Sequence, residues 1–263
     1  MKYLKLFLYS ALAIISVSVI RCIQLMILTD AKTGFFVDGM ESLGIALSVI
    51  TVVIIAISSV LALASKKTEV YPIPDRSIVL GIVSLLAGIA NLIEPVFSTN
   101  VFYTVPSWLI ALRLIAVFLT GLIFCWFGIS HILDLNPHYS LSVIFVIAWI
   151  VRLMSTFISF TGMSNISENL YDVLMLITML LFFLTHSKAL CGIKKKCHTQ
   201  RILAIGFPAV LCTIASAIPN IAMFFAKGTN AHYPTDNPVT AIFTALYVAV
   251  YLVKICIDSS VKE

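Results

Sequence analysis

Eight long apolar runs divide this sequence, at about residues 6–28, 43–64, 77–97, 107–130, 140–160, 170–190, 202–226 and 238–257. Each matches the roughly 20 apolar residues a helix needs to cross a hydrocarbon layer about 30 Å thick. The runs are continuous, whereas the strands of a membrane barrel alternate apolar and polar residues over about ten positions. The connections between them are too short to hold a soluble domain. Of 263 residues, 60% are hydrophobic and 11% charged, against about 45–50% and 25% in soluble proteins. So few charges cannot cover a water-facing surface, which excludes a soluble enzyme, a nucleic-acid module and a disordered chain. The expected fold class is an all-α integral membrane protein with eight transmembrane helices. The seventh run is the least regular, because Pro208 and Pro219 interrupt it.

The first run follows Lys2 and Lys5, as a secretory signal would. Signal peptides, however, carry an apolar stretch of about 7–15 residues followed by a small-residue cleavage site. This run is longer, contains Arg21 and lacks such a site, so it is expected to be a retained helix. With eight spans, both termini share one side. That side collects eleven basic residues, including Lys66, Lys67, Arg76, Lys194, Lys195, Lys196 and Arg201, whereas the opposite loops hold only Lys32 and Lys227. Lys and Arg accumulate in cytoplasmic loops, so a cell-membrane location with both termini cytoplasmic is expected. Orientation alone accounts for the Lys194–Lys196 run. The cysteines Cys22, Cys125, Cys191, Cys197, Cys212 and Cys256 form no C-x-x-C pair. They read as small apolar residues or reduced thiols, and neither a metal nor a cofactor is expected.

A weak internal repeat runs through the chain. Arg21 matches Arg152, Thr33-Gly34 matches Thr161-Gly162, and Glu41 matches Glu168. At a constant offset of 125, Arg76 pairs with Arg201, Gly81 with Gly206, Gly88 with Thr213 and Asn91 with Ser216. The pattern predicts two parallel four-helix repeats, residues 1–134 and 135–263, related by an axis along the membrane normal as in some carriers. The alternative is an eight-helix bundle without duplication.

An ionisable group at the centre of a span costs about 2.5–3.5 kcal/mol on insertion scales and usually faces the bundle interior. Arg21, Glu94, Arg113 and Arg152 are such groups, all toward the outer ends of their spans. On the third span Gly81, Ser84, Gly88, Asn91 and Glu94 share one helical face, and on the seventh Gly206, Ala209, Thr213, Ser216 and Asn220 do so. Small and polar faces of this kind mark helix–helix contact. The eighth span carries a stripe of Thr240, Thr244, Tyr247, Tyr251, Lys254 and Asp258, and the fourth one of Arg113, Thr120, His131, Asp134 and His138.

Two readings follow. In one, Glu94, Arg113, Arg21, Arg152 and Asn91 line an outward-facing pocket for a carboxylate or phosphate, which Arg meets with a planar fork of donors. In the other, the charges form internal pairs, Arg21 with Glu41 and Arg152 with Glu168 or Asp172, and bind nothing. Glu94 and Arg113 have no counterpart in the other half and so point more to a ligand. The expected function is a transporter or solute-binding membrane subunit for a small anionic or zwitterionic solute. Its partners would be the lipid bilayer and an ATPase or other membrane subunit, with no nucleic acid. An accessory or sensory subunit is the second reading. A lipid-modifying enzyme using His131 and Asp134 is the third, since no hydrolase, zincin or phosphate-loop motif occurs. His186, His198 and His232 read as scattered in or near loops.

Overall fold

The computed structural model describes residues 4–30, 34–64, 77–97, 106–160, 167–193, 198–227 and 237–261. Among these residues it is all-helical, apart from an isolated antiparallel bridge between Thr29 and Phe36. The helices are α1 (Leu4–Ile23), α2 (Glu41–Ala64), α3 (Ile78–Phe97), α4 (Ser107–Leu133), α5 (Val143–Phe160), α6 (Ser167–Leu190), α7 (His198–Lys227) and α8 (Pro238–Val261). Among the described residues, eight helices are long and apolar enough to cross a membrane. The basic positions Lys32, Lys66, Lys67, Arg76 and Lys194–Lys196, the repeat landmarks Thr33 and Thr161–Met163, and Cys197 and His232 lie outside the described residues, as do the side chains of Glu168 and His198.

Successive helices run up and down. Six of them close a ring in which α3 packs on α4, α4 on α5, α5 on α6, α6 on α7, α7 on α8, and α8 back on α3. The α1–α2 hairpin lies outside this ring, against α7. The lower centre of the ring is aromatic. Phe124, Phe145, Phe182 and Phe183 are buried there, with Trp149 stacked 5.6 Å from Phe183 and Tyr247 meeting Phe124 edge-on at 4.9 Å. Residues such as Ile45, Val60, Val79, Ile89, Ile115, and Phe157 point outward and are exposed, as apolar side chains facing lipid would be.

The α3–α4 contact explains the small-residue face of α3. A side chain at Gly81 would meet the Gly128 carbonyl at 2.9 Å, and one at Gly88 would meet the Gly121 carbonyl at 2.9 Å. Two glycines seven residues apart on α3 thus oppose two on α4, bringing the backbones into contact. Ser84, between the first pair, donates to the Phe124 carbonyl at 2.7 Å. Gly206 faces α8 in the same manner, with Leu252 filling its space.

The seventh run is one unbroken helix through Pro208 and Pro219. Each proline lacks an N–H and leaves the carbonyl four residues earlier without its helical donor. The hairpin supplies both donors: Ser59 Oγ of α2 bonds the Ala204 carbonyl at 2.9 Å, and Arg21 Nε of α1 bonds the Ala215 carbonyl at 3.1 Å. These two bonds fix the register of the hairpin on α7. Ser59→Ala should therefore cost about 1 kcal/mol. Adding Pro208→Ala should recover most of it by restoring the helical bond, as thermal unfolding of the two variants would measure.

Candidate functional site

The up-and-down order brings the C-terminal ends of α1, α3, α5 and α7 together with the starts of α2, α4, α6 and α8. This end of the bundle, called upper below, holds the buried charges. Arg21, Arg113, Arg152, Glu94 and Asp172 are each at most 4% exposed.

Within the ring, Arg152 of α5 reaches α3. Its Nη2 donates to Glu94 Oε2 at 2.8 Å and to Asn91 Oδ1 at 3.0 Å. Asn91 is held for this purpose, because its amide nitrogen donates to the Ala87 carbonyl at 2.8 Å and so turns the oxygen toward the guanidinium. Below it, the Trp149 ring lies 5.0 Å from the same group, within the range of a cation–π contact. Arg113 approaches from α4. Its Nη1 donates to Ser155 Oγ at 3.0 Å and to Thr156 Oγ1 at 3.4 Å. Ser155 donates its own proton to the Arg152 carbonyl at 2.8 Å, leaving the oxygen's lone pairs for Arg113. Three helices are thereby joined by one chain of polar contacts.

Arg21 belongs to a second group, between the hairpin and the α6–α7 edge of the ring. It bonds Gln24, and its guanidinium stacks 3.6 Å from the centre of the Tyr171 ring. Gln24 in turn donates to the Gly44 carbonyl at 2.9 Å and to Ser48 at 2.7 Å. It opens a π-helical turn, Gln24–Leu28, at the end of α1. Such turns carry an extra residue and recur at functional sites; here the turn keeps Arg21 directed at α7 while Gln24 meets α2. One helix further round, Ser216 of α7 donates to Asp172 of α6.

Four of the five residues expected at the site, Asn91, Glu94, Arg113 and Arg152, are gathered into the ring group, and Arg21 lies in the second. Arg152 is paired with Glu94 of α3, and the side chain of Glu168, one of the partners expected for it, lies outside the described residues. The contact joins α5 and α3, which present these residues to each other across the ring. The fourth-span stripe is also shorter than expected. α4 ends at Leu133, and Asp134 caps it in the left-handed conformation, φ 61°. His138 follows outside the helix, so His131, Asp134 and His138 share no helical face, and no metal-binding group of His, Cys, Asp or Glu occurs among the described residues.

Three contributors lacked a clear sequence signal. Tyr171 and Trp149 look like ordinary apolar residues. His186, expected near a loop, is wholly buried in α6, where its Nε2 meets Tyr247 Oη at 3.1 Å among Phe145, Phe182 and Phe183. The chain matches no protein-family model, and no curated protein or solved structure is similar to it.

Proposed function

We propose that this chain is a multi-pass protein of the cell membrane, with both termini cytoplasmic, that takes a small anionic or zwitterionic solute from the outer side. It would act as a transporter or as the solute-binding membrane subunit of one, together with an ATPase or another membrane subunit. The eleven-to-two distribution of basic residues supports the orientation, and makes the upper end the outer one.

One observation carries the functional reading. Among the described residues, the buried charged side chains at the upper end are three arginines and two carboxylates, Glu94 and Asp172. A net positive charge in a low-dielectric interior is costly, and a bound anion would offset it. The location agrees, because the polar contacts straddle the two proposed halves. Arg113 to Ser155 crosses from α4 to α5, Arg152 to Glu94 from α5 to α3, Arg21 to Ala215 from α1 to α7, and Thr240 to the Ala90 carbonyl from α8 to α3. Carriers built from two repeats bind their solutes at such an interface.

The contacts also support the repeat. In each half the arginine of the first helix reaches the third helix of the other half, at positions one residue out of step at the offset of 125: Asn91, which matches Ser216, for Arg152, and Ala215 for Arg21. Each guanidinium lies over an aromatic ring. Against simple duplication, the hairpin of the first half packs on α7, the helix on which α6 also packs. Opening of such a carrier would part the α4–α5 and α3–α8 seams on either side of the arginine group.

The accessory or sensory reading is favoured by one contact, the closed pairing of Arg152 with Glu94 and Asn91, which serves as well to hold helices. The enzyme reading gains nothing, since Asp134 terminates α4. Thermal unfolding of the detergent-purified chain separates the first two. Inorganic phosphate, acetate or glycine, each against sodium chloride at matched ionic strength, should stabilise the protein. A ligand at a hundred times its Kd contributes about 2.7 kcal/mol. An absence of stabilisation by every probe would favour the structural seam.

A further inference from the structure

The buried charges at the upper end, three arginines against two carboxylates, sum to one positive unit. One monovalent anion offsets it. A zwitterion brings no net charge, and a divalent anion would replace a buried positive unit by a buried negative one, which is costly in the same way.

The rest of the solute must suit what lies beside the guanidinium groups. On α4, Leu109 and Ala116 stand four residues before Arg113 and three after it, on the same helical face. On α5, Ala148 stands four residues before Arg152, and Val151 four before Ser155, the residue that accepts from Arg113. These four apolar residues are each at most 7% exposed, and they form a cluster of their own on the α4–α5 seam, with Ile110 and Ile158 packed against it. Next to Arg152 stands the Trp149 ring, which also stacks on Phe183 of the aromatic core.

The polar atoms of these helices are already used. Thr120 donates to the Ala116 carbonyl, Ser155 to the Arg152 carbonyl and Asn91 to the Ala87 carbonyl. Among the described residues, no fully buried side-chain oxygen or nitrogen of α3, α5 or residues 107–130 of α4 lacks a hydrogen-bond partner. A hydroxyl or amine on the solute would therefore go unpaired beside the arginines, at the cost of its desolvation. A methylene or phenyl group would meet carbon.

We propose that the solute is a monocarboxylate with an apolar remainder, its carboxylate at Arg113 and Arg152 and its apolar group against the α4–α5 cluster beside them. This rests on the solute-binding reading above and narrows it to one class.

Thermal unfolding of the full-length protein in detergent would compare acetate, propionate, butyrate, glycerate, phosphate and neutral butyramide at matched ionic strength. Affinity should rise about fourfold for each CH₂ added from acetate to butyrate, the scale of one buried methylene. Glycerate, similar in size to butyrate but hydroxylated, should stabilise no more than acetate, and butyramide should not stabilise at all. Leu109→Thr should remove the gain of butyrate over acetate and keep the acetate response. Should that variant fail to fold, Ala148→Ser adds a hydroxyl to the same wall with less loss of packing, and must lower the butyrate-to-acetate affinity ratio. An unchanged ratio in the folded variant overturns the proposal. So does butyramide that stabilises as well as butyrate, or phosphate that binds more tightly than butyrate. A gain continuing through decanoate would identify a membrane fatty acid as the source, and a gain ending at butyrate a water-soluble solute; both support the apolar remainder. Equal affinity for acetate, butyrate and glycerate overturns it but leaves the anion site standing. Stabilisation by no probe removes the solute-binding reading itself.

Discussion

Glu94→Ala is expected to destabilise the folded protein by about 3–5 kcal/mol, the scale on which removing one partner of a buried ion pair leaves the other charge uncompensated. The Asn91 oxygen and the Trp149 ring, which also contact Arg152, carry no negative charge to replace the lost carboxylate. Nor is there a route to water, since Arg152 is 3% exposed and Glu94 1%. The double variant Glu94→Leu with Arg152→Met should be far less damaged than Glu94→Ala alone, because packed apolar residues replace a buried pair at little cost. Unfolding of Glu94→Leu, Arg152→Met and the double variant, read as a mutant cycle, gives the coupling directly. A cycle in which the two changes simply add would mean that the Arg152–Glu94 contact contributes nothing to the fold.

Gly88→Val should be comparably severe for a different reason. A β-carbon at Gly88 would stand 2.5 Å from Cys125 Sγ, 2.8 Å from the Cys125 nitrogen and 2.9 Å from the Gly121 carbonyl. Two of those atoms are backbone and cannot rotate away, so α3 and α4 must separate along the whole Gly81–Gly88 contact. Overpacking a close contact costs about 1–3 kcal/mol and occasionally more, and here the rigid neighbours put the effect at the upper end. The loss also reaches the site, since Asn91 lies less than one turn beyond Gly88 and Glu94 less than one turn further. Ile89→Val, on the adjacent residue but 49% exposed, is expected to be near neutral. Thermal unfolding of both variants in one detergent makes the comparison, and similar values for the two would contradict the glycine contact.

What could be read in the amino-acid sequence follows from cost. An arginine inside an apolar run is so unfavourable against lipid that Arg21, Arg113 and Arg152 had to point inward, and they do. The helical periodicity on α3 and α8 was equally legible, because a buried stripe at spacings of three and four needs only local geometry. Partners were not. Arg152 and Glu94 are 58 residues apart, and only the closing of the ring decides that α5 presents its arginine to α3. Gly121 and Gly128 carried a signal that went unused: their spacing of seven equals that of Gly81 and Gly88, as two helices in backbone contact require. The continuity of α7 was obscured by its prolines, whose missing bonds are replaced by Ser59 and Arg21 from a hairpin 145 and 194 residues away. His186 was hidden by its nearness to Lys188, which marks the end of the span but not the face on which the imidazole sits.

The buried excess of positive charge is tested most directly at Arg113, through thermal unfolding of Arg113→Gln with and without the stabilising solute. Glutamine can still donate to Ser155, and the substitution lowers the buried charge at the upper end by one, to two arginines and two carboxylates. If a bound anion normally offsets the excess positive charge, the solute-free variant should unfold at the parent's temperature or above it, and the solute should no longer stabilise it. A solute-free variant that unfolds several degrees lower, or one that the solute still stabilises as strongly as the parent, would contradict an anion site at Arg113.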